Sequence, residues 1–273
     1  MSLRCVYTDL DGTLLGRGGS LLRDADGNFS MLPVRAIEAC FRADVEVVIK
    51  SGRRRAQVYE DARLLGQSAY IFEVGSGMVI DGEETFLTDE WQPRDGRSVH
   101  AQIEASGAPA LLLDRYAGRL EYHAPFHVDR EVSHLMRGLV DAAEANALLG
   151  SEGHGGLRLV DNGAIAPKGS LPDLGGPPHS YHLIPAGVSK ARAVEAHMRA
   201  RGYTPEECIA VGDSKEDVGV ADVVGRFFLV ANAVEKDPSI RESIAGRDNV
   251  VVTEARNGEG FYEAVVRTLA ESQ

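Results

Sequence analysis

The run Val6-Tyr7-Thr8-Asp9-Leu10-Asp11-Gly12-Thr13-Leu14-Leu15 constrains the fold of this chain more than any other segment. An apolar strand gives way there to a glycine, and two carboxylates stand two residues apart at the transition. Side chains at i and i+2 leave a strand on the same face, so Asp9 and Asp11 are forced close together at a strand end. Two like charges that close are costly unless a cation sits between them or one carboxylate is protonated. Strand ends that open into a glycine turn are also where α/β sheets take their ligands. The run points to a parallel α/β sheet carrying a divalent metal, a nucleophilic carboxylate and a phosphate.

The rest of the first third fits such a sheet. Residues 4–8 read as a buried strand, residues 16–30 as a polar, Gly-rich loop, and Pro33 opens a helix through Ala43. Strands are predicted at 45–49 and 70–73, with a helix at 54–65 between them. This β-α-β-α-β alternation predicts a doubly wound, Rossmann-like parallel core. The pattern then breaks. A hairpin is predicted over 78–88 around Asp81-Gly82 and a helix at 98–105. Strands follow at 110–113 and 119–123, then a long helix at 129–148. Two further strands at 157–160 and 164–166 flank Asp161-Asn162-Gly163, a hairpin signal, and a Gly/Pro-rich stretch runs from Gly169 to Pro178. Alternation resumes at Tyr181, with helices at 188–201, 216–223, 237–244 and 260–270 and strands at 208–211, 226–230 and 250–252. The expected division is a core of residues 1–86 and 181–273 with an inserted α+β cap at 87–180.

The formal net charge of −12 argues against a nucleic-acid partner, because phosphate backbones are bound by clustered Lys and Arg. It leaves room for a small phosphorylated metabolite in a local pocket. Cys5, Cys40 and Cys208 lie far apart with no C-x-x-C spacing, which predicts a reducing, cytoplasmic setting. No apolar stretch approaches the roughly 18–20 residues of a membrane span, so no membrane partner is expected. The chain enters a strand at once, which predicts no signal peptide.

Three more segments carry chemistry. Ser51-Gly52-Arg53 follows the second strand, and a hydroxyl with backbone N–H groups at a strand-to-helix turn is a natural phosphate cradle. Lys190 lies near a helix N-terminus, where a cation works against the helix dipole and needs compensation. Gly212-Asp213-Ser214-Lys215-Glu216-Asp217 follows an apolar strand. Asp213 and Asp217 can face one cation there, and an oxygen-only set suits Mg²⁺.

In this order, D-x-D-G-T-L, the Ser51 turn, Lys190 and the Asp213/Asp217 segment resemble the four motifs of the haloacid dehalogenase (HAD) superfamily. The large insertion resembles the Cof-like group, which includes mannosyl-3-phosphoglycerate phosphatases. Val230-Ala231-Asn232-Ala233 resembles the Asn-Ala that follows the last motif. The chain departs from the family at Glu73-Val74-Gly75-Ser76, where Glu-Asn-Gly-Ala is common, and at Glu216, where Asn is usual.

The resemblance implies an Mg²⁺-dependent phosphomonoester hydrolase that acts through an aspartyl-phosphate. Asp9 would be the nucleophile and Asp11 the general acid and base. Asp9, the Asp11 backbone carbonyl and Asp213 would hold the metal, with Asp217 supporting. Ser51, Gly52 and Lys190 would hold the phosphoryl group. The implied substrate is a phosphosugar or a sugar-phosphoglycerate such as mannosyl-3-phosphoglycerate. A phosphohexomutase and a phosphorylatable receiver-like switch are the competing readings. Candidate substrate contacts are Arg53 and Asn232 in the core, and Arg119, His123 and Arg158 on or beside predicted cap strands.

Overall fold

The protein is described by a computed structural model over residues 2–166 and 170–271, and is built on two sheets. The first apolar run is β1 (Cys5–Thr8), buried along its whole length. It is followed by α1 (Leu32–Arg42), β2 (Glu46–Lys50), α2 (Arg55–Leu64) and β3 (Ala69–Phe72). Near-continuous burial is what parallel strands covered by helices on both faces require. The hairpin expected around Asp81-Gly82 is β4 (Gly77–Ile80) and β5 (Glu83–Phe86), added antiparallel at the sheet edge.

The middle of the chain forms a separate four-stranded sheet. Its elements are α3 (Val99–Ser106), α4 (Ala108–Arg115), β6 (Leu120–Tyr122), β7 (His134–Gly138), α5 (Ala142–Ser151), β8 (Leu157–Ala164) and β9 (His179–Pro185). The strand order is β6-β7-β9-β8, with antiparallel pairing throughout. Its helices close a core of their own around Ile103, Leu112, Met136, Leu149 and Tyr181.

The chain then returns to the first sheet through α6 (Lys190–Arg201), β10 (Cys208–Gly212), α7 (Lys215–Val218), β11 (Arg226–Leu229), α8 (Ala231–Lys236), α9 (Ile240–Ile244), β12 (Val250–Val252) and α10 (Asn257–Glu271). The first sheet has eight strands in the order β12-β11-β10-β1-β2-β3-β4-β5, parallel from β12 to β3. This is the Rossmann-like core with an added sheet-rich unit. Because β1 lies between β2 and β10, the loops after these three strands converge at one edge.

The inserted unit differs from expectation in three places. Residues 110–113 are not a strand but the middle of α4, which Pro109 starts as a residue suited to a first helical turn. The long helix expected at 129–148 is instead β7 followed by α5. Asp141 caps α5, its carboxylate accepting from the Ala143 and Glu144 N–H groups. The hairpin expected at Asp161-Asn162-Gly163 is an irregularity within the single strand β8, whose partner is β9. The position expected as a boundary, 180/181, therefore falls inside β9 of the second sheet. Of the Gly/Pro-rich stretch, Gly169 lies outside the described residues. No described helix is long and apolar enough to cross a membrane.

Candidate active site

The last residues of β1, β2 and β10 and the start of α6 deliver the predicted groups to one place. Asp9 follows β1, and its Oδ1 accepts from Lys190 Nζ at 2.9 Å. The same ammonium donates to Asp217 Oδ1 at 2.8 Å. Lys50, the last residue of β2, reaches that Asp217 oxygen at 2.5 Å and the Val211 carbonyl at 3.2 Å. Asp217 also forms a capping box with Ser214, whose hydroxyl donates to Oδ2 at 2.6 Å. Asp9, Lys50, Lys190 and Asp217 are all buried. Two ammonium groups thus face two carboxylates away from solvent.

These surroundings set the ionisation. Burial pushes the Asp9 carboxyl up to about 7; Asp217 and Asp213 add to the push, and Lys190 and Lys50 oppose it. Burial also opposes ionisation of Asp217, but Lys190 and Lys50 outweigh it and hold the carboxyl below the usual carboxylate range. Burial raises Asp213 as well, partly offset by Lys236, whose Nζ is 3.2 Å from Asp213 Oδ2. Lys190 is held above its ordinary value because Asp217 and Asp9 outweigh its desolvation.

Asp9, Asp213 and Asp217 each place a carboxylate oxygen within 4.8 Å of the others. Asp217 has its oxygens engaged by Lys50, Lys190 and Ser214, so Asp9 and Asp213, both raised by burial, are the oxygen donors that fit a hard divalent cation. Gly12 lines the same space at φ +87°, and a Cβ there would fall 2.1 Å from Asp213 Oδ2. Asp213 additionally accepts from Thr13 Oγ1 at 3.4 Å.

Ser51 is 2% exposed, and its Oγ accepts from the Arg53 N–H at 3.2 Å. Asp11 is clasped by Arg53, with Nε and Nη2 each 2.7 Å from one carboxylate oxygen. Arg53 also holds Asp61 at 2.8 Å.

A cavity of about 570 Å³ opens over these groups. Asp9, Asp11, Gly12, Ser51, Gly52, Arg53, Asp213 and Asp217 line it from the core, and His123, Arg130, Asn162, Ser180 and His182 from the second sheet and its loops. Arg130 donates through both Nη atoms to the Gly52 carbonyl, at 2.7 and 3.2 Å, while its Nε has no partner among the described residues. His182 Nδ1 lies 3.2 Å from Ser133 Oγ, and its Nε2 would be 3.0 Å from a Cβ at Gly52. Burial, with Arg130, Lys190 and His123 nearby, lowers the His182 imidazole well below its ordinary value. From the core side, the carboxylate of Glu73 accepts from the backbone N–H groups of Glu131, Val132 and Ser133, tying the loop before β7 to the loop after β3.

Of the weaker predicted contacts, Arg53 and His123 line the cavity, and Arg119, Arg158 and Asn232 do not. Arg119 bonds the Leu139 carbonyl at 3.0 Å within the second sheet. Arg158 bonds the Val188 carbonyl and lies 3.7 Å from Glu216, joining β8 to the approach to α6. Asn232 supports the glycine turn, donating to the Gly12 carbonyl at 2.9 Å and accepting from the Asn257 N–H.

Lys50, Arg130, His182, Asn162 and Lys236 line or support the site without having been singled out from sequence. A lysine closing the apolar run 45–49 and a histidine inside the apolar run 181–184 were the available signals.

A family model described as haloacid dehalogenase-like hydrolase matches residues 175–246. A protein named phosphoglycolate phosphatase from Halorubrum lacusprofundi is 30% identical over 265 residues, covering 96% of this chain and 97% of that one. One of the same name from Archaeoglobus fulgidus is 27% identical over 268 residues, covering 96% and 95%. Among solved structures, the sucrose-phosphatase of Synechocystis, in complex with sucrose and phosphate, superposes with a TM-score of 0.69 at 15% identity, covering 98% of both chains.

Proposed function

This chain belongs to the haloacid dehalogenase-like hydrolases and is a phosphatase of that family, and from that premise we propose that it hydrolyses the phosphomonoester of a small hydroxy acid. The observation that carries this reading is the convergence of Asp9, Ser51, Lys190 and Asp213 beneath a cavity whose roof presents the buried guanidinium of Arg130. Phosphoglycolate, named by the relatives, and mannosyl-3-phosphoglycerate, named by the resemblance, both carry a carboxylate close to the phosphate. A cation in the roof suits that shared feature better than it suits a neutral sugar.

In the proposed reaction the Asp9 carboxylate attacks phosphorus in line. The phosphorus–oxygen bond to the leaving alcohol breaks, and Asp11 gives that oxygen its proton. Asp11 then takes a proton from water, which attacks the aspartyl-phosphate, releases inorganic phosphate and restores Asp9. Asp11 must leave Arg53 to reach the leaving oxygen, so Arg53 is a positioning residue for the acid. Ser51, the backbone at Gly52 and Lys190 hold the transferring oxygens. Asp9 and Asp213 would hold Mg²⁺. Asp217, whose oxygens are taken up by two ammonium groups and Ser214, would chiefly orient Lys190. Bound there, the ion would offset charge on the phosphoryl group.

Residues 87 to about 186 are proposed as a cap that supplies leaving-group contacts and excludes water, with the core supplying phosphate chemistry. The test is phosphate release from phosphoglycolate, phosphoglycerates, mannosyl-3-phosphoglycerate and hexose phosphates, with Mg²⁺ and after chelation. The reading expects carboxylate-bearing esters to lead in kcat/KM and chelation to abolish turnover. Preference for neutral sugar phosphates would overturn the substrate class, and full activity after chelation would overturn the metal.

A further inference from the structure

At the opposite end of the core sheet, one row of side chains crosses three adjacent strands. Cys208 of β10 pairs in register with Cys5 of β1, and Cys5 with Glu46 of β2. The helix α6 packs on the face of the sheet that carries Cys5 and Cys208, and brings His197 to the row. Cys5, Cys208 and His197 are fully buried, and the Glu46 side chain is 17% exposed. The Cys5 sulfur, a His197 ring nitrogen and a Glu46 carboxylate oxygen all lie within 4.8 Å of one another.

A second observation is independent of that clustering. Tyr7 hydroxyl lies 2.8 Å from His197 Nδ1, but Nε2 has no hydrogen bond among the described residues and meets only Glu46 Oε2, at an ion-pair distance of 3.6 Å. A wholly buried ring nitrogen left in that state costs free energy unless something else satisfies it.

We propose that this row is a second metal site, separate from the Asp9 cavity, that takes Zn²⁺ through Cys5, His197 and Glu46, with Cys208, in register beside Cys5 but outside that 4.8 Å set, turning in as the fourth ligand. Thiolate, imidazole and carboxylate are the donors zinc takes in tetrahedral sites, and the oxygen-only set near Asp9 selects a harder ion. The supporting contacts are already in place. With Nε2 on the metal, Nδ1–H donates to the Tyr7 hydroxyl, which fixes the ring. Arg201 holds Glu46 Oε1 at 3.0 and 3.2 Å, and the Tyr203 hydroxyl donates to Oε2 at 3.0 Å. Binding releases the proton of each ligating thiol.

The placement also gives the site a use. Cys5 begins the strand that leads into Asp9, Glu46 the strand that leads into Ser51, and Cys208 the strand that leads into Asp213. His197 lies two turns along the helix that Lys190 begins. One ion would therefore clamp, at their far ends, the four elements that carry the catalytic groups.

Cobalt(II) chloride titrated into the chelator-treated, reduced full-length protein tests the site, because the two sites differ in colour. Carboxylate-bound cobalt absorbs weakly, whereas tetrahedral thiolate-bound cobalt gives intense visible bands and a thiolate charge-transfer band. The wild type should show the intense bands, and zinc should displace them. Asp213→Asn should keep them, and His197→Gln should abolish them. Cys5→Ser should cut the charge-transfer intensity by at least half, and Tyr7→Phe should keep the bands while weakening cobalt affinity about 10- to 100-fold. Folded wild type with no thiolate band at saturating cobalt overturns the proposal, whatever the variants do. Bands unchanged in both Cys5→Ser and His197→Gln overturn it equally.

Discussion

Lys50 Nζ lies 2.5 Å from Asp217 Oδ1, and neither side chain is exposed. The same oxygen takes Lys190 Nζ at 2.8 Å, and Lys190 passes on to Asp9 at 2.9 Å. The site thus rests on a buried chain of alternating charge that runs from Lys50, which does not line the cavity, to Asp9, which does. Such a chain is tolerated only when complete, because each unpaired ion inside a protein carries its full desolvation cost.

Lys50→Met should therefore leave Asp217 underpaired and destabilise the fold by about 3–5 kcal/mol, the scale of breaking a buried pair from one side. Urea unfolding of the two proteins measures this. Equal midpoints would show that Asp217 does not depend on Lys50.

Gly12→Ala should cost some stability and damage turnover far more. At φ +87° a side chain is strained, and its Cβ would press on Asp213 Oδ2. The expected loss in kcat is about 100-fold, the scale of misplacing a reacting group by an ångström. It should come with a higher Mg²⁺ requirement; unchanged metal dependence would count against Asp213 as a ligand.

Much of this was legible in the sequence because it is local. The D-x-D-G-T turn, the Ser-Gly-Arg turn and the Gly-Asp-Ser cap each depend on a few consecutive residues, and parallel strand order then brings their ends together. What was not legible depends on long-range pairing. Nothing near Lys50 in the sequence marks it as paired; its partner Asp217 comes from α7, which follows β10. Arg119 and Arg158 lie on or beside cap strands, but the face each presents follows from pairing with β7 and β9, which no local pattern carries. Reading 129–148 as one helix hid the loop that carries Arg130, and β9 joins the second sheet only because β7 and β8 flank it.

His182 gives stability a pH dependence. Its folded value is depressed by burial and by nearby Arg130, Lys190 and His123, so the folded protein keeps the ring neutral where the unfolded chain protonates it. Below the ordinary histidine value of about 6.5, the unfolded state binds more protons, and stability falls as pH falls. His182→Gln should lessen the slope by about 1.4 kcal/mol per pH unit between roughly pH 6 and 5. Urea midpoints across that interval test it; parallel curves for both proteins would contradict it.

Arg130→Met should raise KM for a carboxylate-bearing ester by about 10- to 150-fold, the equivalent of one charged hydrogen bond of about 1.5–3 kcal/mol. Arg119→Ala, at a residue outside the cavity, should leave KM unchanged. The reverse pattern in steady-state kinetics would move leaving-group recognition elsewhere in the cap.

If Asp9 is the nucleophile, it carries the phosphoryl group in covalent form during turnover. Rapid acid quench during turnover of phosphoglycolate, followed by peptide mass spectrometry, measures this directly. The expected result is a phosphorylated peptide containing Asp9, present in the wild type, enriched in Asp11→Asn, where its hydrolysis is slowed, and absent from Asp9→Asn. Normal phosphate release by Asp9→Asn, or phosphate found on another residue of the wild type, would contradict it.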